Sequence, residues 1–139
     1  MLITKMHRLF VYGTLKDEKV RKAIFGREVS ALSAVLENFG LYHDGSYYFI
    51  SPCRGKIVTG YVLEVNDREL LLADKWEDVP LYTRKEVAVI CAGQSCKAWT
   101  YTKDGEPGEE VKNPQFAVLS MEEVYKAVDV FCKNNHCAG

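Results

Sequence analysis

Two short stretches of this sequence carry residue types that could take part in binding or catalysis. The first is VYGTLK, residues 11–16, where an apolar run stops at Gly13 and the chain then becomes charged. Gly13 can adopt a positive φ, and the N–H groups of Thr14 and Leu15 would then lie where a strand gives way to a helix. Such a turn can bind a carboxylate or a phosphate. The spacing is not that of a Walker loop or a dinucleotide fingerprint. Alone, the stretch favours an ordinary strand-ending turn over an anion site.

The second stretch is ADKWEDVPLYTR, residues 73–84, in which Glu77 follows Trp76 before a proline-containing turn. A carboxyl group beside an aromatic ring is partly desolvated, which raises its pKa and suits it to proton transfer. The alternative is a solvated glutamate at a helix end, and the stretch alone favours that alternative. Asp74 and Asp78 are the competing acids, and we expect both to be structural or solvated.

The cysteines and histidines predict no metal site and no cysteine nucleophile. CAGQSC and CKNNHC lack the C-x₂-C spacing of a structural zinc site, and the serine-nucleophile pattern G-x-S-x-G does not occur. An odd number of cysteines without a signal peptide favours reduced thiols and a cytoplasmic location. The residues concerned are Cys53, Cys91, Cys96, Cys132, Cys137, His7, His43 and His136.

The first half of the chain contains patterns that predict the strands and helices around VYGTLK and ADKWEDVPLYTR. Residues 7–12 are typical of a short strand, and 16–25 of a short helix that ends at Gly26. Strand-like alternation over 29–50 is broken by the turn sequence HDGS. GKIVTGYVLEV, residues 55–65, is the clearest strand, because one face would be shared by Ile57, Thr59, Tyr61, Leu63 and Val65.

The second half continues with helix and hairpin patterns. Asn66 and Glu69 have the spacing of a capping box, and so do Ser120 and Glu123 before a last helix that packs Val124, Val128 and Phe131. Residues 82–91 and 95–103 predict a hairpin joined by AGQ, followed by a polar loop over 104–114. The pattern predicts an α+β fold with a small mixed or antiparallel sheet, barrel-like, and a few flanking helices.

Composition favours one globular domain over residues 1–139, with a core at 7–103 and a C-terminal loop and helix at 104–139. Eighteen basic and nineteen acidic residues give a formal net charge of −1. Such a balance provides no footprint for nucleic acid or for an anionic membrane surface. The apolar run before Gly13 is too short for a secretory signal or a membrane span. We therefore expect a small polar or zwitterionic ligand.

In combination, these motifs resemble the gamma-glutamylcyclotransferase-like superfamily, most closely its gamma-glutamylamine cyclotransferases. The matching segments span residues 8–103 in the family's order: V-Y-G-T-L at 11–15, the strand at 55–65, D-K-W-E at 74–77, Y-T-R at 82–84 and W-T-Y at 99–101. DEKVRK after the loop and GSYYFI after the hairpin glycine depart from the family's pattern. These departures concern the group attached to the gamma-glutamyl moiety.

The resemblance implies a cofactor-free enzyme that forms 5-oxoproline from a small gamma-glutamyl substrate. Glu77 would be the general base and then the general acid. Substrate would be bound by the loop residues Tyr12, Gly13, Thr14 and Leu15, with Tyr82 and Tyr101. The alternative for these last two tyrosines is packing in the core. Arg84 would either orient Glu77 or the substrate carboxylate, or act as a cross-strand partner in the sheet.

Two further functions fit the same residues. One is a non-catalytic module that binds a gamma-glutamyl or 5-oxoproline group. The other is a different amide-processing enzyme that uses Glu77 on another substrate. Retention of Glu77 favours catalysis over the binding module.

Overall fold

The computed structural model of this protein describes residues 5–43, 47–77, 82–103, 109–111, 120–135 and 137. The first half contains β1 (Met6–Val11), a 3₁₀ turn (Thr14–Lys16), α1 (Glu18–Phe25), β2 (Ala31–His43) and β3 (Tyr48–Asn66). The second half contains α2 (Asp67–Trp76), β4 (Thr83–Cys91), β5 (Gln94–Thr102), β6 (Glu109–Glu110) and α3 (Met121–Asn135). Within the described ranges, no helix is long and apolar enough to cross a membrane. The predicted turn at 44–46, Asp78 and most of the predicted loop at 104–114 lie outside the described residues.

The strands form one mixed sheet in the order β3-β1-β5-β4-β2-β6. β1 is parallel to β5 and antiparallel to β3. β3 also pairs with β2, so the strands β3, β1, β5, β4 and β2 form a closed ring of pairings. A barrel-like sheet requires such closure. The predicted α+β class, with a mixed sheet and a few flanking helices, is confirmed.

The second half of β1 and Tyr12, which follows it, are buried on both faces, which explains the uninterrupted apolar sequence LFVY. Leu9 and Val11 belong to the cluster that packs against α1, α2 and α3, whereas Phe10 and Tyr12 belong to a second cluster formed largely by strand residues. The strand is therefore fixed from two sides. The loop that follows it starts from a rigid support.

The strand predicted at 55–65 is confirmed as part of β3, and its two faces contribute to different clusters. Ile57 is 58% exposed, whereas Val58 and Val62 are buried in the strand cluster. Leu63 and Val65 are buried on the helix side. Alternation therefore assigns these residues to two faces of β3, but it does not tell which elements cover each face.

Gly60 lets β3 approach the end of β1. A Cβ atom at Gly60 would lie 2.2 Å from the carbonyl oxygen of Val11, a distance that no side chain can occupy. The neighbouring register pair is Val11 with Tyr61. Glycine at position 60 thus sets the backbone spacing directly before the loop.

Local signals in the sequence are matched by the structure where they depend on near neighbours. Asn66 caps α2 with both hydrogen bonds of a capping box to Glu69, and Gly26 ends α1 in the left-handed conformation. Ser120 accepts a hydrogen bond from the N–H of Glu123. The β4–β5 hairpin has a tighter turn than predicted, because Gln94 pairs with Cys91 and only two residues remain in the turn.

Candidate active site

The loop after β1 contains the 3₁₀ turn at Thr14–Lys16. Lys16 N–H donates to Gly13 O at 3.0 Å, and Asp17 N–H donates to Thr14 O at 3.0 Å. Lys16 is the first donor of this turn, and among the described residues no acceptor is found for the N–H groups of Gly13, Thr14 and Leu15. Gly13 has φ −119°, so the positive φ expected there is wrong. What glycine provides is space, since a Cβ atom would meet no heavy atom within 4 Å.

Glu77 lies at the opposite side of the site, at the end of α2. Its N–H donates to the carbonyl oxygen of Ala73 at 2.9 Å, which closes the last helical turn. The residue is partly exposed, but its carboxyl group lies among protein atoms, and this burial raises its pKa from 4.5 to about 7. A carboxyl group with that pKa can both accept and donate a proton near neutral pH.

Three tyrosines surround the region between the loop and Glu77, and all three are at least 94% buried. Burial is the main cause that raises the pKa of Tyr12 and of Tyr101, and the charge of Glu77 raises both further. Tyr82 adds to the increase in the pKa of Tyr12. These electrostatic effects act over short range, so the structure brings Tyr12, Tyr82, Tyr101 and Glu77 together.

A chain of hydrogen bonds holds the tyrosines. The Tyr12 hydroxyl donates to the carbonyl oxygen of Tyr101 at 2.6 Å, and the Tyr101 hydroxyl donates to Asp74 Oδ1 at 2.7 Å. The same oxygen of Asp74 lies 3.0 Å from Arg84 Nε. Arg84 also stacks over the ring of Trp99 on the neighbouring strand, 4.7 Å from its centroid. Arg84 thus contacts the sheet and the acid that holds Tyr101.

Trp76 connects the two halves of the site, which sequence reasoning missed. Its indole Nε1–H donates to Thr14 Oγ1 at 2.8 Å and so joins the end of α2 to the loop. The ring of Phe131 in α3 packs edge-on against Trp76, with centroids 5.4 Å apart. A tryptophan directly before the candidate acid was the available signal, because a buried indole N–H needs an acceptor.

The remaining predicted residues take different parts in this arrangement. Leu15 is 1% exposed, so its side chain belongs to the core and only its backbone can face a ligand. Asp74, expected to be structural or solvated, is structural. Among the described residues, no three His, Cys, Asp or Glu side chains are grouped so that they could hold a metal ion.

Comparison with known proteins identifies relatives that share this arrangement of segments. The model of a family described as "Gamma-glutamyl cyclotransferase, AIG2-like" matches residues 9–122, which include the end of β1 with the loop, α2 and the β4–β5 hairpin. The match therefore covers both sides of the site.

Two curated relatives and one solved structure illustrate the similarity. AIG2-like protein D of Arabidopsis thaliana is 33% identical over 110 residues, covering 73% of this chain and 72% of the relative. The gamma-glutamylaminecyclotransferase of Mus musculus is 29% identical over 118 residues, covering 77% and 74%. A solved gamma-glutamyl cyclotransferase has the same fold, with a TM-score of 0.67 at 18% identity, covering 94% of this chain and 80% of the other.

Proposed function

This chain belongs to the gamma-glutamyl cyclotransferase, AIG2-like family, and from that premise we propose that it releases 5-oxoproline from a gamma-glutamyl amine or another small gamma-glutamyl compound. The substrate's α-amine attacks its own side-chain carbonyl, the five-membered ring closes, and the amine attached to the gamma-carbonyl leaves. Neither water nor a cofactor enters this reaction.

Glu77 is the observation on which the proposal depends. In becoming the ring amide, the α-ammonium group gives up two protons, and the leaving nitrogen takes up two in departing as an ammonium ion. One carboxyl group that accepts and returns protons therefore ends the reaction unchanged. A pKa of about 7 gives Glu77 nearly equal access to both forms at neutral pH.

The loop would hold the substrate in the curled conformation that ring closure requires. A flexible gamma-glutamyl chain reaches this conformation rarely, so fixing it removes much of the entropic part of the barrier. The N–H groups of Gly13, Thr14 and Leu15, which have no acceptor in the described part of the chain, can bind the α-carboxylate or the oxygen on which negative charge develops. Tyr82 and the ring of Tyr101 line the region, while Asp74 and Arg84 orient Tyr101.

The test is release of 5-oxoproline from gamma-glutamyl-lysine and a panel of gamma-glutamyl amino acids and amines. We expect turnover by the wild type, and a rate that rises with pH through about 7, because the free carboxylate is the base. Glu77→Gln should lower kcat at least 100-fold. Glu64→Gln, an exposed glutamate on β3, is the matched control and should retain activity.

Other outcomes would identify the alternatives. Full activity in Glu77→Gln would contradict the mechanism. Thermal stabilisation by 5-oxoproline without turnover of any substrate would instead indicate a non-catalytic binding module. Cleavage of an amide without formation of 5-oxoproline would indicate a different amide-processing enzyme.

We also propose a cytoplasmic location. The five cysteines are thiols in the structure, and each is partly accessible. Partly exposed thiols persist where glutathione and thioredoxin keep them reduced, as in the cytoplasm. Subcellular fractionation of cells that produce the protein would test this location.

A further inference from the structure

Arg21 in α1 reaches back to the loop after β1. The residue is 8% exposed, and its guanidinium group donates to three backbone carbonyls. Nη1 lies 2.7 Å from Lys16 O and 3.3 Å from Leu15 O, and Nε lies 3.2 Å from Val29 O. A buried arginine used in this way fixes backbone geometry, because its planar fork of donors has little freedom once bonded.

Two of these carbonyls belong to the peptide planes that form the 3₁₀ turn. The plane with Leu15 O carries the N–H of Lys16, which donates to Gly13 O. The plane with Lys16 O carries the N–H of Asp17, which donates to Thr14 O. Arg21 therefore holds each plane at its oxygen while the turn holds it at its N–H. Gly13 O and Thr14 O, which accept these two bonds, share peptide planes with the N–H groups of Thr14 and Leu15, so the turn that Arg21 holds also orients those N–H groups.

The positive charge of Arg21 also affects which ligands the loop can bind. Its hydrogen-bond acceptors are neutral carbonyls, and among the described residues no carboxylate oxygen lies within 4 Å of the guanidinium. Arg27 is different, because both of its bonds to Glu69, at 2.6 and 2.9 Å, neutralise it. A buried positive charge without a matching carboxylate favours an anionic group nearby.

We propose that Arg21 is a positioning residue that sets the loop's N–H groups and favours binding of an anionic substrate group, such as an α-carboxylate, at Gly13, Thr14 and Leu15. This inference rests on the proposed function. Arg21 does not contact the reacting atoms. Its contribution is to substrate binding, through the turn whose backbone it holds.

Kinetics of Arg21→Gln and Arg21→Lys, measured with thermal unfolding, test the proposal. We expect Arg21→Gln to raise KM at least 10-fold and to change kcat less than 3-fold. Arg21→Lys keeps the positive charge but loses the planar guanidinium donors. Its KM should therefore lie between those of the wild type and Arg21→Gln. The matched control is Arg27→Gln, which leaves the buried carboxylate of Glu69 without its ion-pair partner and should lower stability with KM within 2-fold. Loss of stability in the Arg21 variants with an unchanged KM would overturn the proposal.

A second measurement separates this proposal from the proposed function. If the wild type forms no 5-oxoproline, the proposed function fails, and amide hydrogen exchange then tests Arg21 alone. In Arg21→Lys, the N–H groups of Lys16 and Asp17 should exchange at least 10-fold faster, while that of Gly26, bonded to Lys22 O at the far end of α1, should not. Unchanged exchange at Lys16 and Asp17 would show that Arg21 does not hold the turn.

Discussion

Glu77 is a single residue whose titration affects stability and, in the proposed mechanism, activity as well. Its carboxyl group is buried without a described cation beside it, and desolvation raises its pKa from 4.5 to about 7. Between these two pH values the folded protein keeps a proton that the unfolded chain has released. The contribution of Glu77 to the free energy of unfolding therefore falls as pH rises from about 4.5 to about 7.

The first prediction follows from the sign of this shift. Glu77→Gln should be more stable than the wild type at pH 8, by at most about 3 kcal/mol, and close to equal at pH 4.5. Urea unfolding of both proteins across this range measures the difference. A difference that does not change with pH would mean that the carboxyl group is solvated in the folded state.

At the residue scale, the sequence identified the reactive candidates but not the residues that hold them. Glu77 and the loop are visible in the sequence because the resemblance lies in short motifs. The role of Arg21 is not visible in the sequence, because a charged residue in a short helix is ordinarily expected to be solvated. Its hydrogen-bond acceptors are also backbone atoms, which leave no pattern of residue types. The Trp76 bond to Thr14 joins residues 62 positions apart, and only the folded chain brings them together.

Elements were predictable where the signal is local. The capping box of α2 and the left-handed end of α1 depend on groups within four residues, so the sequence contains them in full. The path of β3 depends instead on what covers each face. Val58 and Val62 lie on one face of β3 and pack among strands, whereas Leu63 and Val65 lie on the other face and pack under helices. Alternation separates the two faces, but only the folded chain shows what covers each.

The second prediction concerns the contact between β1 and β3. Gly60→Ala should lower the free energy of unfolding by about 2 kcal/mol or more, because the new Cβ would overlap Val11 O and force the strands apart. Gly13→Ala is the comparison, since its Cβ meets no atom within 4 Å. We expect it to change stability by less than about 0.5 kcal/mol while lowering activity, because the methyl group occupies the space beside the loop's N–H groups.

Unfolding curves and 5-oxoproline assays on the two variants would show opposite profiles. Gly60→Ala should lose stability first, and Gly13→Ala should lose activity first. A Gly13→Ala variant with full activity would contradict substrate binding by the backbone N–H groups of this loop.

At the scale of the whole molecule, the site is assembled from segments distributed along the chain. β1 supplies the loop, α2 supplies Glu77, and the β4–β5 hairpin supplies Arg84 and Tyr101. α3 completes the assembly from the C-terminal side, because Phe131 packs on Trp76 and Tyr125 donates a hydrogen bond to Asp17 at 3.2 Å. The C-terminal helix therefore supports both ends of the loop without containing a predicted catalytic residue.

The last prediction tests this support from a distance. Phe131→Ala removes the edge-on contact with Trp76, so the indole that holds Thr14 becomes freer to move. We expect the free energy of unfolding to fall by about 1 to 2 kcal/mol, since Phe131 is only partly buried, and KM to rise several-fold. Val130→Ala, one position earlier on α3 and 59% exposed, is the matched control and should change neither quantity. If Phe131→Ala lost stability while KM stayed the same, α3 would stabilise the fold without orienting the loop, and the site would depend only on the segments before it.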